Sequence, residues 1–179
     1  MRRSLLLFVI ALLAGCATGV DLQAHRGGRG LMPENTQPAF SNALRIGVTT
    51  LELDTAVTRD GVVVISHDPI LNPDIVRDAD GRWLTEKGPA IHTLSFADLQ
   101  RYDIGRLKPG SDYAKRYPQQ VSLDGTRFPR LADLFAQVQA AGNSTVRFNI
   151  ETKLSPFERG QTPGPEAFVA ALLSVIDAH

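Results

Sequence analysis

Cysteine, tryptophan and net charge are all scarce in this sequence of 179 residues, which has one Cys, one Trp and equal numbers, 19 and 19, of basic and acidic side chains. A single cysteine excludes an intrachain disulfide, so in an oxidising compartment the core alone must hold the domain together. A formal net charge of zero gives no field to attract a polyanion, and nucleic acid is not an expected partner. The strongly apolar run from Leu5 to Leu13 is about half of the roughly 20 residues that a membrane-spanning helix needs. Internal repeats and low-complexity tracts are absent. What is present, 43% hydrophobic and 21% charged residues, is ordinary globular composition and excludes disorder and collagen.

The chain opens with Arg2 and Arg3, the apolar run, and the small pair Ala14-Gly15 before Cys16. That is the layout of a secretory signal peptide over residues 1–15. Leu13-Ala14-Gly15-Cys16 also resembles the lipobox of bacterial lipoproteins, in which the cysteine is acylated and becomes the mature N-terminus. The expectation is an exported protein of the bacterial cell envelope, lipid-anchored at Cys16, with residues 16–20 as a short tether. Loss of the two arginines leaves a slightly acidic chain, so attachment to the membrane would come from lipid rather than from a basic patch. The alternative is an ordinary cleaved signal with an incidental cysteine.

The body alternates strand and helix signals. Leu22-Gln23-Ala24 reads as a short strand that ends at His25 and runs into the glycine-rich stretch Gly27-Gly28-Arg29-Gly30. Pro33-Glu34-Asn35-Thr36 offers capping side chains, and Phe40, Ala43 and Leu44 follow at helical spacing before a stop at Gly47. Val48 to Leu53 and Val62 to Ile65 are β-branched and apolar, hence strands. Only Thr55 to Gly61 lie between them, too few for a crossover helix. Seven extended residues reach roughly 23 Å, enough to return for a parallel pairing, with Asp60-Gly61 as the turn. From Pro69 to Pro129 the pattern loosens into Asp, Gly and Pro with one short helix capped by Ser95, which predicts an inserted subdomain over residues 69–129. Leu131, Leu134, Phe135 and Val138 mark a helix, Thr145 to Glu151 a fourth strand, and Pro165 to Ala178 an amphipathic helix.

Ionisable residues collect where these four strands stop: His25 and Arg26, Glu52 and Asp54, His67 and Asp68, Glu151 and Lys153. In a parallel α/β architecture the C-terminal strand ends share one face, so these side chains can converge. Glu52 and Asp54, two apart, point to the same side of their strand. Three carboxylates in one cleft repel one another unless a cation sits between them, and oxygen-only ligands suit Ca²⁺ or Mg²⁺ rather than zinc. Each piece alone is ordinary: a Glu-x-Asp is commonly a solvated rim, and a histidine before glycines a turn residue. His92 and His179 carry no such pattern.

In order and spacing, His25-Arg26-Gly27, Pro33-Glu34-Asn35-Thr36, Glu52-x-Asp54, Asp60-Gly61, His67-Asp68 and Asn149-x-Glu151-x-Lys153 resemble the glycerophosphodiester phosphodiesterase family. The resemblance runs from about Leu22 to Lys153. It implies an α/β fold of the (β/α)₈ TIM-barrel type, with a divalent metal held by Glu52, Asp54 and Glu151. It also implies acid/base histidines at His25 and His67 and substrate phosphate contacts at Arg26 and Lys153. Phe128-Pro129-Arg130-Leu131 departs from the family's usual Ile-Pro-Thr-Leu in a packing segment only. The implied reaction is metal-dependent hydrolysis of a glycerophosphodiester to an alcohol and glycerol 3-phosphate. Two other readings stay open: a related barrel enzyme acting on another lipid head group, and a catalytically silent lipoprotein that binds phosphodiesters.

A (β/α)₈ barrel typically takes about 250 residues, more than the 179 here, and about four barrel strands are legible. The expectation is therefore residues 21–179 as the N-terminal part of such a barrel, either continued in a longer protein or closed by self-association of two copies.

Overall fold

The computed structural model describes residues 19–154 and 160–179. The proposed signal peptide and the lipobox with Cys16 lie outside the described residues. Strands β1 (Gln23–Ala24), β2 (Thr50–Val57), β3 (Val63–Ile65) and β4 (Arg147–Thr152) form one four-stranded sheet. β2 is its axis. β1 pairs with the start of β2 in parallel, and β4 runs parallel along the other edge from Thr50↔Arg147 to Thr55↔Thr152.

β3 departs from the sequence expectation. It pairs antiparallel to β2, with Thr55 opposite Ile65 and Val57 opposite Val63. β2 does not stop at Leu53 but continues to Val57, and the turn closes when the Thr58 N–H donates to the Val62 carbonyl at 3.0 Å. A tight hairpin satisfies these backbone groups locally, whereas an extended return would leave them unpaired. The parallel strands are thus three, and the apolar run Val62 to Ile65 is the returning arm of a hairpin.

Alternation along β2 sorts the protein into two cores. Leu51, Leu53 and Val57 pack with Phe40 and Ala43 of α1 (Gln37–Ile46), Leu131 and Leu134 of α4 (Leu131–Ala140) and Phe168 and Leu172 of α5 (Pro165–Ile176). Helix α1 starts where Thr36 Oγ1 accepts from the Ala39 N–H at 3.3 Å, and it stops at Gly47, both as the sequence predicts. The other face of β2 presents Glu52, Asp54 and Ala56. Ala56 and Val64 of the sheet join Leu71, Val76, Ile91, Leu99, Ile104 and Phe128 of the long segment after β3 in the second core.

That segment holds α2 (Phe96–Leu99), with the predicted Ser95 and Asp98 capping box, and a second short helix α3 (Asp112–Arg116) that the sequence pattern does not show. Five residues are too few for periodicity to register; α3 forms because Ser111 Oγ accepts from the Ala114 N–H at 3.0 Å. At the N-terminal end of the sheet, Asp21 accepts from Thr49 Oγ1 and Thr50 Oγ1, each at 2.7 Å, and from Arg147 at 2.6 Å. One carboxylate thereby ties the starts of β1, β2 and β4 together.

Gly105 marks the tightest backbone approach in the second core: a Cβ there would stand 1.8 Å from the Leu123 carbonyl oxygen. Gly105→Ala should lower the unfolding free energy in urea by about 3 kcal/mol, because backbone rather than a flexible side chain must give way. Gly30→Ala, with nothing within 4 Å of the added carbon, should change it by less than about 0.5 kcal/mol.

Candidate active site

Three carboxylates meet on the face of β2 turned away from α1, α4 and α5. Glu52 and Asp54 project from that face, and the parallel register sets Glu151 of β4 directly beside Asp54. One oxygen from each of Glu52, Asp54 and Glu151 lies within 4.8 Å of the others. Two oxygens bound to a common ion can stand at most about twice the metal–oxygen distance apart, roughly 4 to 5 Å for Mg²⁺ or Ca²⁺, so the cluster has the span of a cation site. Asp54 is 1% exposed, and its Oδ1 is buried with no hydrogen-bond partner. An orphaned buried carboxylate oxygen costs about 1–3 kcal/mol unless a cation takes it up, so the residues present fit a hard divalent ion.

Two cationic side chains flank the cluster. Lys153, two residues past Glu151 and on the same face, places Nζ 2.7 Å from Glu151 Oε1 and 3.5 Å from Asp54 Oδ1. Arg26 arrives from the turn after β1. Its backbone is left-handed at φ 53°, which aims its N–H at Glu52 Oε2, 2.6 Å away. Gly27, at φ 74°, follows because a Cβ there would also press to 2.9 Å from Ala39 Cβ of α1. The buried Arg26 guanidinium lies 3.4 Å through Nε from Asp54 Oδ2 and donates through Nη1 to Glu34 Oε1 at 2.9 Å. Its Nη2 makes no hydrogen bond among the described residues. Burial works against the charged guanidinium, but the Glu34 carboxylate and the other acidic neighbours, Asp54 among them, together outweigh that and hold it protonated.

The histidines enter from different elements. His25 precedes Arg26 and places Nε2 3.9 Å from Glu52 Oε2, with its side chain 53% exposed. His67 follows β3, and the antiparallel hairpin rather than a parallel strand end delivers it: the Ser66 N–H donates to the Asp54 carbonyl at 2.9 Å. His67 Nδ1 is 2.8 Å from Asp68 Oδ1, and Asn72 Nδ2 donates to Asp68 Oδ2 at 2.7 Å. With Nδ1 committed to a carboxylate, Nε2 is the nitrogen left for exchange with a ligand. His92 and His179 lie elsewhere, His92 against the Gly160 carbonyl and His179 beside the Phe135 ring.

Three side chains join the site that sequence reasoning did not place there. Pro33-Glu34-Asn35-Thr36 reads as a helix start, and only Thr36 serves as the cap. Glu34 turns inward to Arg26, and Asn35, left-handed at φ 55°, donates from Nδ2 to Asp54 Oδ2 at 3.0 Å. Tyr113 of α3 donates its hydroxyl to Glu34. Burial, and then the Glu34 charge, push the Tyr113 phenol well above its ordinary range, so it remains a donor. The family motif contained Glu34 and Asn35 as a signal; nothing in the local pattern marks Tyr113.

Burial alone would raise the Asp68 carboxyl, but the hydrogen bonds from His67 and Asn72 outweigh it and the net position is below the usual range. A depressed folded-state pKa stabilises above the unfolded value, about 3.9, and the gain is lost as pH falls through the folded value. Asp68→Asn should therefore cost about 1 kcal/mol of unfolding free energy at pH 7, and the gap to wild type should close below about pH 4. Parallel urea titrations at the two pH values measure both.

A human lysophospholipase D is 32% identical over 128 residues, which span 72% of this chain and 35% of that protein. A solved Silicibacter pomeroyi structure of the glycerophosphoryl diester phosphodiesterase type superimposes with TM-score 0.78 and 34% identity, covering 86% of this chain and 52% of that one. An Oleispira antarctica phosphodiesterase, solved in complex with the product sn-glycerol-3-phosphate, superimposes with TM-score 0.57 and 25% identity, over 88% of this chain and 51% of that one. The chain thus spans about a third of the human relative and about half of each solved structure, and its parallel sheet with flanking helices is that of their TIM-barrel type of fold. The family match itself runs over residues 25–178, from the first histidine of the site to the last helix, and the chain belongs to the glycerophosphoryl diester phosphodiesterase family.

Proposed function

We propose that the protein hydrolyses glycerophosphodiesters to an alcohol and glycerol 3-phosphate. The observation that carries this reading is the convergence of Glu52, Asp54 and Glu151 within 4.8 Å, beside Arg26 and Lys153, on the strand that also anchors the approaches of His25 and His67. The product bound in the Oleispira antarctica structure supports the substrate class.

A phosphodiester resists hydrolysis because its own charge repels a nucleophile and its alkoxide leaves poorly. Ca²⁺ or Mg²⁺ held by the three carboxylates would supply positive charge to the phosphate oxygens. Arg26 would offer its uncommitted Nη2 to one of those oxygens, and Lys153 its ammonium to another. One histidine takes a proton from the attacking oxygen and the other returns one to the departing alkoxide. His67 is oriented for such work by Asp68, while His25 is the more exposed of the two.

The likeness to a human lysophospholipase D makes lysophospholipids the second substrate class to consider. Further strands of the barrel would add along the outer edge of β4, where Phe148 and Ile150 are only partly buried, and a second copy of the chain is one way to supply them. An exported, lipidated Cys16 would hold the site near a membrane where such substrates arise.

With Ca²⁺ or Mg²⁺ present, release of choline from glycerophosphocholine should fall at least about a hundredfold in His25→Ala and in His67→Ala. It should be lost on chelation and return with added metal. Full turnover in chelator would overturn the metal role, and preference for lysophosphatidylcholine in a substrate panel would favour the second class. Cys16→Ala should move the protein from the membrane to the soluble fraction of the envelope; unchanged fractionation would overturn the anchor.

A further inference from the structure

Tyr113 stands in α3, in the segment that follows the β2–β3 hairpin, yet its hydroxyl is part of the bonding of the turn after β1. It donates to Oε2 of Glu34, and it accepts from Nη1 of Arg26 at 3.3 Å and from Nη1 of Arg29 at 3.2 Å. Glu34 spends its other oxygen, Oε1, on Arg26 Nη1 at 2.9 Å. Arg26, Glu34 and Tyr113 are all buried, at 8, 6 and 9% exposure, so the bonds among these three are not exchanged cheaply for water.

The arrangement limits how Glu34 can hold Arg26. A carboxylate facing a guanidinium tends toward a bidentate pair that engages two nitrogens of the fork. Here one carboxylate oxygen is tied to the phenol, so Glu34 takes Nη1 alone and Nη2 stays uncommitted. Without the hydroxyl, Oε2 is buried with no donor, and the nearest remedy is to turn toward Arg26 and take up the second nitrogen.

We propose that Tyr113 is a positioning residue for phosphate recognition: by occupying Glu34 Oε2 it keeps the Arg26 fork half open for a phosphate oxygen of the substrate. This rests on the proposed phosphodiesterase function and adds to it that the segment after β3 supplies a working part of the anion site. The ring is held independently of its hydroxyl, with the Arg116 guanidinium over it at 4.9 Å and Tyr117 edge-on at 5.3 Å, so Tyr113→Phe removes the bond and leaves the packing.

The test is the full chain with Ca²⁺ or Mg²⁺ on glycerophosphocholine. Tyr113→Phe should raise KM about tenfold, the loss expected when a charged hydrogen bond to phosphate is diverted, with kcat within about twofold. Tyr117→Phe, which keeps a ring in the same cluster, should change neither. A wild-type KM in Tyr113→Phe, or a loss confined to kcat or to thermal stability, overturns the proposal. The Arg26 guanidinium protons, followed by NMR, give a second readout that needs no turnover. The Nη2 protons should exchange freely with water in the wild type and become protected in Tyr113→Phe; unchanged exchange overturns the proposal. A wild-type chain that turns over no phosphodiester would count against the proposed function, and the exchange of Nη2 would still decide the role of Tyr113.

Discussion

Asp54 is the residue on which the rest of the site depends. It sits in the central strand with its side chain in the interior, and burying a carboxylate is costly unless it is paired or coordinates a metal. Its neighbours are those the cost demands: Asn35 donating to Oδ2, Arg26 at 3.4 Å from the same oxygen, and Lys153 at 3.5 Å from Oδ1. Even its backbone carbonyl is used, accepting from Ser66 and so drawing in the chain that carries His67. Three separated side chains are thus brought to one carboxylate by the need to stabilise its charge, and the backbone carbonyl beside it holds a fourth stretch.

The same need explains the unusual backbone near the site. Non-glycine residues avoid the left-handed region, yet Arg26 and Asn35 both adopt it, at φ 53° and 55°. Each cost is offset by a bond made to the acidic wall of β2, the Arg26 N–H to Glu52 at 2.6 Å and the Asn35 amide to Asp54 at 3.0 Å. Tension between the two carboxylates that share Arg26 is then settled from outside the sheet, where Tyr113 takes one oxygen of Glu34. That group comes from α3, in the long segment after β3.

Much of this was legible in the sequence. Strand β2, helix α1 with its Thr36 cap and Gly47 stop, helix α4 and strand β4 follow from periodicity and capping chemistry, because those signals are local. The candidate ligands and cations, from His25 to Lys153, were legible as polar residues clustered at strand ends and as an ordered set resembling a family. The β2–β3 pairing was not, since seven intervening residues permit both a hairpin and an extended return; the choice depends on which backbone groups find partners. Helix α3 and the inward turn of Glu34 were also out of reach, as a five-residue helix has no period and a glutamate before a helix reads equally well as a surface residue.

The sequence by itself determined which residue types stand at which strand ends, and hence that histidines, carboxylates and basic side chains are present in an ordered set that resembles one family. Pattern alone suffices for this because strand alternation assigns Glu52, Asp54 and Glu151 to faces without reference to anything distant. Only the tertiary structure decided that β4 lies directly against β2, that the hairpin brings Ser66, next to His67, to the Asp54 carbonyl, and that Tyr113 bonds Glu34 and Arg26. Those facts rest on contacts between residues far apart in the chain, where the balance of burial, charge and hydrogen bonding, rather than any local propensity, selects one arrangement.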